Sequence, residues 1–322
     1  MKKKIFAILL IAALAICCFA GCGGKKSDGK IHVGIINNDP SESGYRTANV
    51  NDLKKMFGEG NTNNYVGTFF YSLKNDEQIE AAKKMITDGV DYLLLSAADT
   101  SGWDGVLKDA KKAGVRVILF DRTIDASADL YESSVVSDMA KEGDLAVSWL
   151  ASQNLAEYKI VHIQGAMGSA AQKGRTGALD AKVAANDNWT MVEQQTATWD
   201  ANEATKIVAG VINAGKSFNV IYAENDGMAQ GAVKALDDAG ISHGVGKDVI
   251  VIGFDCNQWA LEELLKGNWN YDGQCNPFQA QYLHEIIQKL EKGEAVDKTI
   301  IMDEKGFDAT TITQDDVNNY GI

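Results

Sequence analysis

The sequence predicts an α/β protein of two lobes, each built on a parallel sheet covered by helices on both faces. Three observations carry this. Short, continuous apolar runs alternate with amphipathic stretches of helix length. That alternation occurs in two rounds, and the pattern loosens between Thr123 and Asp138. The chain, 322 residues long, also exceeds the size at which one core tends to split into two.

In the first round the strand-like runs are Ile31–Ile36, Tyr65–Tyr71, Tyr92–Leu95 and Val115–Phe120. In the second they are Ile160–Ile163, Met191–Gln195, Val220–Tyr222 and Val249–Phe254. Helices are expected over Glu77–Asp88, Gly102–Ala113, Asn202–Ala214 and Asp226–Ala239, closed by Gly89, Gly114, Gly215 and Gly240. Val135–Val136 is taken as the first crossing between lobes. After Tyr271 a further helix (Phe278–Glu291) and a strand-like run (Thr299–Met302) must each join one lobe or the other.

The N-terminus predicts export. Met1–Lys4 is basic, Ile5–Phe19 is uncharged and mostly apolar, and Phe19-Ala20-Gly21 leads into Cys22. This is the order of a signal peptide over residues 1–21, with an apolar run short for a membrane span. A cysteine directly after the cleavage point resembles the bacterial lipobox, which implies lipid attachment at Cys22. Residues 22–30 then form a polar, glycine-rich tether. Without residues 1–21 the chain keeps 44 acidic against 28 basic residues, a formal charge of −16. Such a charge argues against nucleic acid and anionic membrane surfaces as partners. Beyond Cys22 only Cys256 and Cys275 remain, so a bridge is permitted but no disulfide framework is. His32, His162, His243 and His284 show no metal-ligand spacing with them, and neither a metal nor a cofactor is expected.

In open α/β sheets function gathers just beyond the carboxyl ends of strands. There the sequence places Ser41–Arg46, Ala97–Trp103, Asp121-Arg122, Gln164-Gly165 with Arg175 nearby, Trp199-Asp200, Glu224–Asp226, Asp255 and Gln274. Guanidinium forks and carboxylates can each engage neighbouring hydroxyls, amides donate and accept, and aromatic rings cover apolar C–H faces. The set suits a polyhydroxylated ligand.

The chain resembles a type 1 periplasmic sugar-binding protein of the ribose/galactose class, and within it the galactofuranose-binding members. The residues carrying the resemblance are Ser41–Arg46, Ser101-Gly102-Trp103, Leu119–Asp125, Tyr222–Asp226 and Gly253-Phe254-Asp255, in order along the mature chain. The resemblance implies two Rossmann-like lobes joined by a three-crossing hinge, with a monosaccharide between them and delivery to an ABC permease. The implied division gives residues 31–135 with 275–301 to the N-terminal lobe and 136–274 with 302–322 to the C-terminal lobe. The implied ligand residues are Ser43, Arg46, Trp103, Asp121 and Arg122 in the first lobe. In the second they are Arg175, Trp199, Asn225 and Asp255, with Gln274 at a hinge. Ser43 and Asn225 also suit helix N-caps, and Trp103 and Trp199 also suit core packing.

No GxGxxG follows the opening strand, and Walker-A, Gly-x-Ser-x-Gly and His-Glu-x-x-His motifs are missing, so a binding protein is expected rather than an enzyme. A sugar-responsive repressor would need a helix-turn-helix and a basic face in place of a signal peptide and an acidic body. The expected protein is an extracytoplasmic, lipid-anchored monomer. A sensory co-receptor, or a ligand such as fructose, a pentose or a furanosyl signal, is the alternative.

Overall fold

The computed structural model describes residues 28–322; Cys22, the signal segment and most of the tether lie outside them. From the N-terminal side the chain forms β1 (Ile31–Asn37), α1 (Gly44–Phe57), β2 (Tyr65–Tyr71), α2 (Asn75–Thr87), β3 (Tyr92–Leu95), α3 (Asp104–Ala113), β4 (Arg116–Asp121) and β5 (Ser133–Val136). It continues with α4 (Met139–Ser152), β6 (Tyr158–Gln164), α5 (Ala170–Ala184), β7 (Trp189–Thr196), α6 (Ala201–Asn213), β8 (Val220–Ala223), α7 (Asp226–Asp238), β9 (Ile250–Phe254), α8 (Gln258–Leu265) and β10 (Tyr271–Gly273). The last elements are α9 (Ala280–Glu291), β11 (Thr299–Ile301), β12 (Gly306–Asp308) and α10 (Gln314–Tyr320).

Two six-stranded sheets result, ordered β11-β5-β4-β3-β1-β2 and β12-β10-β9-β8-β6-β7. All pairings are parallel except β10 with β12. The apolar strands read continuously because both faces are covered. In the first sheet Val33, Ile35, Leu94, Ile118 and Phe120 pack with Leu53 and Phe57 of α1 and Leu283 and Ile287 of α9. Their neighbours Ile36, Leu93, Leu95, Val117 and Leu119 point the other way, onto Met85 of α2 and Leu107 and Ala110 of α3. The second sheet repeats the plan. Ile160, Val220 and Ile252 face Leu150 and Leu179, while Val161, Ile221 and Val251 face Val208, Met228 and Leu236.

The chain passes between the sheets three times, after β5, after β10 and after β11. Val135 and Val136, taken from the sequence as the crossing itself, are the last residues of β5, and the crossing begins at Ser137. The strand's start was hidden by Ser133 and Ser134, which are polar but satisfied at the sheet edge. Ser133 Oγ donates to the Asp297 carbonyl at 2.7 Å and Ser134 Oγ to that of Lys298 at 3.3 Å. One carboxylate ties the three crossings together. Glu304 Oε1 accepts from Ser137 Oγ and from the Asn276 backbone N–H, each at 2.6 Å.

Candidate ligand-binding site

The carboxyl ends of both sheets face one narrow cleft between the lobes. On the first lobe, the Ser43 side chain accepts from the Arg46 N–H at 3.1 Å and so caps α1. The first turn of that helix then presents Tyr45 and Arg46 to the cleft. Arg46 is fully buried and bonded on every side. Nε meets Glu42 at 3.1 Å, Nη1 donates to Asn37 Oδ1 at 2.7 Å, and Nη2 meets Asp121 Oδ2 at 2.7 Å. Asp121 closes β4 with φ 62°, a conformation that costs energy in a non-glycine residue and recurs at functional sites. Its oxygens also accept from the Tyr45 hydroxyl at 2.8 Å and from Ser96 Oγ at 2.7 Å. Burial alone would raise its pKa, but the Arg46 and Arg122 guanidiniums outweigh burial and hold it below the ordinary value. Arg122 Nη2 reaches Glu42 at 3.2 Å, whereas its Nη1 is buried with no partner.

The second lobe answers with Arg175 of α5. Nε and Nη2 grip Glu142 at 2.8 and 2.7 Å, Nη1 donates to the Glu224 carbonyl, and Nη2 also meets Asp255 at 3.4 Å. The Phe254 ring lies 4.7 Å beneath the guanidinium. Asp255 follows β9 at φ 106°. Its pKa is pushed up to about 7, because burial outweighs the attraction of Arg175. Asn225 caps α7 by accepting from the Met228 N–H at 2.8 Å and also lines the cleft. Trp199, at φ 70°, lines it with a buried indole N–H that has no partner. Gly165 makes room for that ring: a Cβ there would stand 1.9 Å from Trp199 Cη2.

Of the residues expected to bind ligand, Ser43, Arg46, Asp121, Arg122, Arg175, Trp199, Asn225 and Asp255 come together in this cleft. Trp103 does not. It is fully buried in the first lobe's core with Leu95 and Leu107, and its indole N–H donates to the Asp99 carbonyl at 3.0 Å. Large apolar area and one internal partner suffice to place it there. Gln274 lies on the second crossing and lines a neighbouring cavity with Glu142 and Glu304. Cys256 and Cys275 are both buried free thiols, so the permitted bridge does not form. Sequence reasoning passed over Glu42, which holds Arg46 and Arg122 together. A signal existed in its i,i+4 spacing from Arg46. Nothing marked Cys275, which reaches the cleft wall from the crossing.

Beyond the cleft the lobes also touch at its outer lip. Lys173 of the second lobe donates to Thr100 Oγ1 and reaches Asp125 at 3.4 Å, and the Thr100 N–H meets the Gly168 carbonyl at 3.4 Å. Gly168 (φ 91°) is approached so closely that its Cβ would stand 2.2 Å from Asp99 Oδ2.

Residues 33–295 match the family described as periplasmic binding protein domain. The chain belongs to that family. Its relatives include the fructose import binding protein of Bifidobacterium longum, 31% identical over 99% of this chain and 98% of that one. The galactofuranose-binding protein of Escherichia coli is 27% identical over 78% of this chain and 80% of its own. Among solved structures, a Mycobacterium smegmatis protein in complex with β-D-fucofuranose superposes with a TM-score of 0.80 at 28% identity, covering 87% of this chain and 92% of that one. The superposition on the Mycobacterium smegmatis protein extends over the two-lobed α/β body described above.

Proposed function

We propose that the protein captures a neutral monosaccharide between its lobes, a galactofuranose or galactose-like sugar, and passes it unaltered to an ABC importer. The observation that carries this is the state of the cleft's polar groups. Three arginines (Arg46, Arg122, Arg175) stand against three carboxylates (Glu42, Asp121, Asp255), which leaves little net charge to attract an ionic ligand. From opposite lobes, Arg122 Nη1 and the Trp199 indole N–H are buried donors without acceptors. Leaving them so is costly, and hydroxyl or ring oxygens of a sugar satisfy both. Fructose is the second reading, favoured by the nearly full-length similarity to the Bifidobacterium protein. The family's extracytoplasmic placement agrees with the signal segment, and Cys22 is proposed as the lipid anchor.

A thermal-shift screen of the purified protein against free hexoses and pentoses tests the reading. A specific sugar at a hundredfold excess over Kd stabilises by about 2.7 kcal/mol. Mass spectrometry of the released ligand is expected to return the same sugar. Because contacts come from both lobes, binding favours the closed state, and the radius of gyration falls on addition of that sugar. No shift with any neutral sugar, or a converted product, overturns the proposal.

A further inference from the structure

The hinge holds a cluster of buried donor groups just behind the sugar cleft, which it meets through Cys275 on the cleft wall and through Glu142 beneath Arg175. One donor atom each from Glu142, Cys275 and Glu304 lies within 4.8 Å of the others. The residues come from α4, the second crossing and the third crossing, and are only 3%, 2% and 8% exposed. Glu142 spends Oε2 on Arg175 and leaves Oε1 buried, with its carboxylate within 4.8 Å of Cys275 Sγ. Arg175 reaches only one oxygen of that carboxylate, and burying the other beside a second carboxylate and a thiol is unfavourable unless a further positive group joins them.

We propose that Glu142, Cys275 and Glu304 bind a divalent zinc ion at the hinge. A thiolate with two carboxylates suits zinc, whereas calcium and magnesium take oxygen ligands. Three protein donors leave the fourth tetrahedral position to water. A narrow cavity lined by Glu142, Glu304, Gln274 and Tyr271 lies beside the cluster. Lys141, Lys305 and Asp138 also line it, and the lysines weaken rather than prevent cation entry. Across cleft and hinge together, the three arginines and the ion stand against Glu42, Asp121, Asp255 and the three donors, so the ion brings the region to within one charge of neutral. Binding requires loss of the thiol proton, so Cys–SH and Zn2+ give Cys–S–Zn and H+. Affinity therefore rises with pH. The donors belong to separate crossings, so the ion would stiffen the bend on which closure depends.

Cobalt titration of the metal-stripped protein tests this, because a thiolate–Co2+ bond gives a near-ultraviolet charge-transfer band that carboxylates do not. The expected result is one equivalent of cobalt with the band, displaced by zinc. C256S keeps the band and C275S loses it. E304Q weakens cobalt binding by at least about tenfold, the lower range for loss of even an outer-shell partner. No binding, binding without the band in the wild type, or a band that survives in C275S overturns the proposal. Should C275S fail to fold by circular dichroism, the band in a mature chain carrying both C22S and C256S decides, because Cys275 is then its remaining thiol. Calorimetry with sugar on the metal-stripped protein reports the cleft separately, so failure of one site is not mistaken for failure of the other.

Discussion

Replacing Arg122 by Ala separates ligand recognition from folding better than any other change in the cleft. Its Nη2 shares Glu42 with Arg46, which keeps its own contact at 3.1 Å when Arg122 is gone. Asp121 likewise retains Arg46 at 2.7 Å, Ser96 and Tyr45. Truncation thus strands no buried carboxylate. What disappears is the free Nη1 donor. A hydrogen bond involving a charged group contributes about 1.5–3 kcal/mol, which is roughly a ten- to hundredfold rise in Kd. Isothermal titration with the sugar found by screening measures it, and thermal melting of the unliganded variant should stay within a few degrees of wild type. Arg122→Lys should recover little, since an ammonium lacks the planar fork. An affinity within twofold of wild type for Arg122→Ala would refute the assignment of Nη1 to the ligand.

Gly165→Ala drives a methyl group into the Trp199 ring, so sugar affinity should fall at least about tenfold, with a melting temperature lowered by overpacking of about 1–3 kcal/mol; calorimetry and melting curves check both. Stability should also decline as pH rises. Burial lifts Asp255 to about 7 and Asp272 to about 8, from an ordinary value of 3.8 for each. The folded state holds these protons more tightly than the unfolded chain, so their contribution is full below about pH 4 and is lost through pH 7–8. Asp272→Asn should flatten the upper part of that decline in melts between pH 5 and 9; an identical slope would contradict it. Cys22→Ala should move the protein from the membrane to the soluble fraction, and retention on membranes would remove the lipid anchor from the account.

How much was legible in the sequence depended on how loudly each residue advertised its role. Continuous runs such as Leu93–Leu95 declare a strand covered on both faces, and Gly114, in a left-handed conformation at φ 75°, does close α3. Three-residue strands are too short to show a period; the β-branched residues of β11 betrayed it, whereas β10 and β12 carry glycine and aspartate and went unread, each defined by its neighbour in the sheet. In the site, Asp121 and Asp255 were readable because a carboxylate directly after an apolar strand needs a partner. Trp103, expected at the cleft, lies in the core of the first lobe, and an indole at a strand end looks the same in sequence whether it turns to ligand or to core. Glu142 carried no signal, since its meaning comes from Arg175, 33 residues away along the chain.

The lip contacts bear on economy in the membrane. Lys173 and Asp125 are half exposed or more, and such pairs contribute about 0–1 kcal/mol, weakened further by salt. One such pair favours shutting by no more than about fivefold. An importer that recognises the shut form would therefore meet few vacant carriers masquerading as laden ones, and little ATP would be hydrolysed on empty deliveries. A firmer clasp at Thr100 and Gly168 would hold the sugar longer, but it would also blur that distinction between cargo and no cargo.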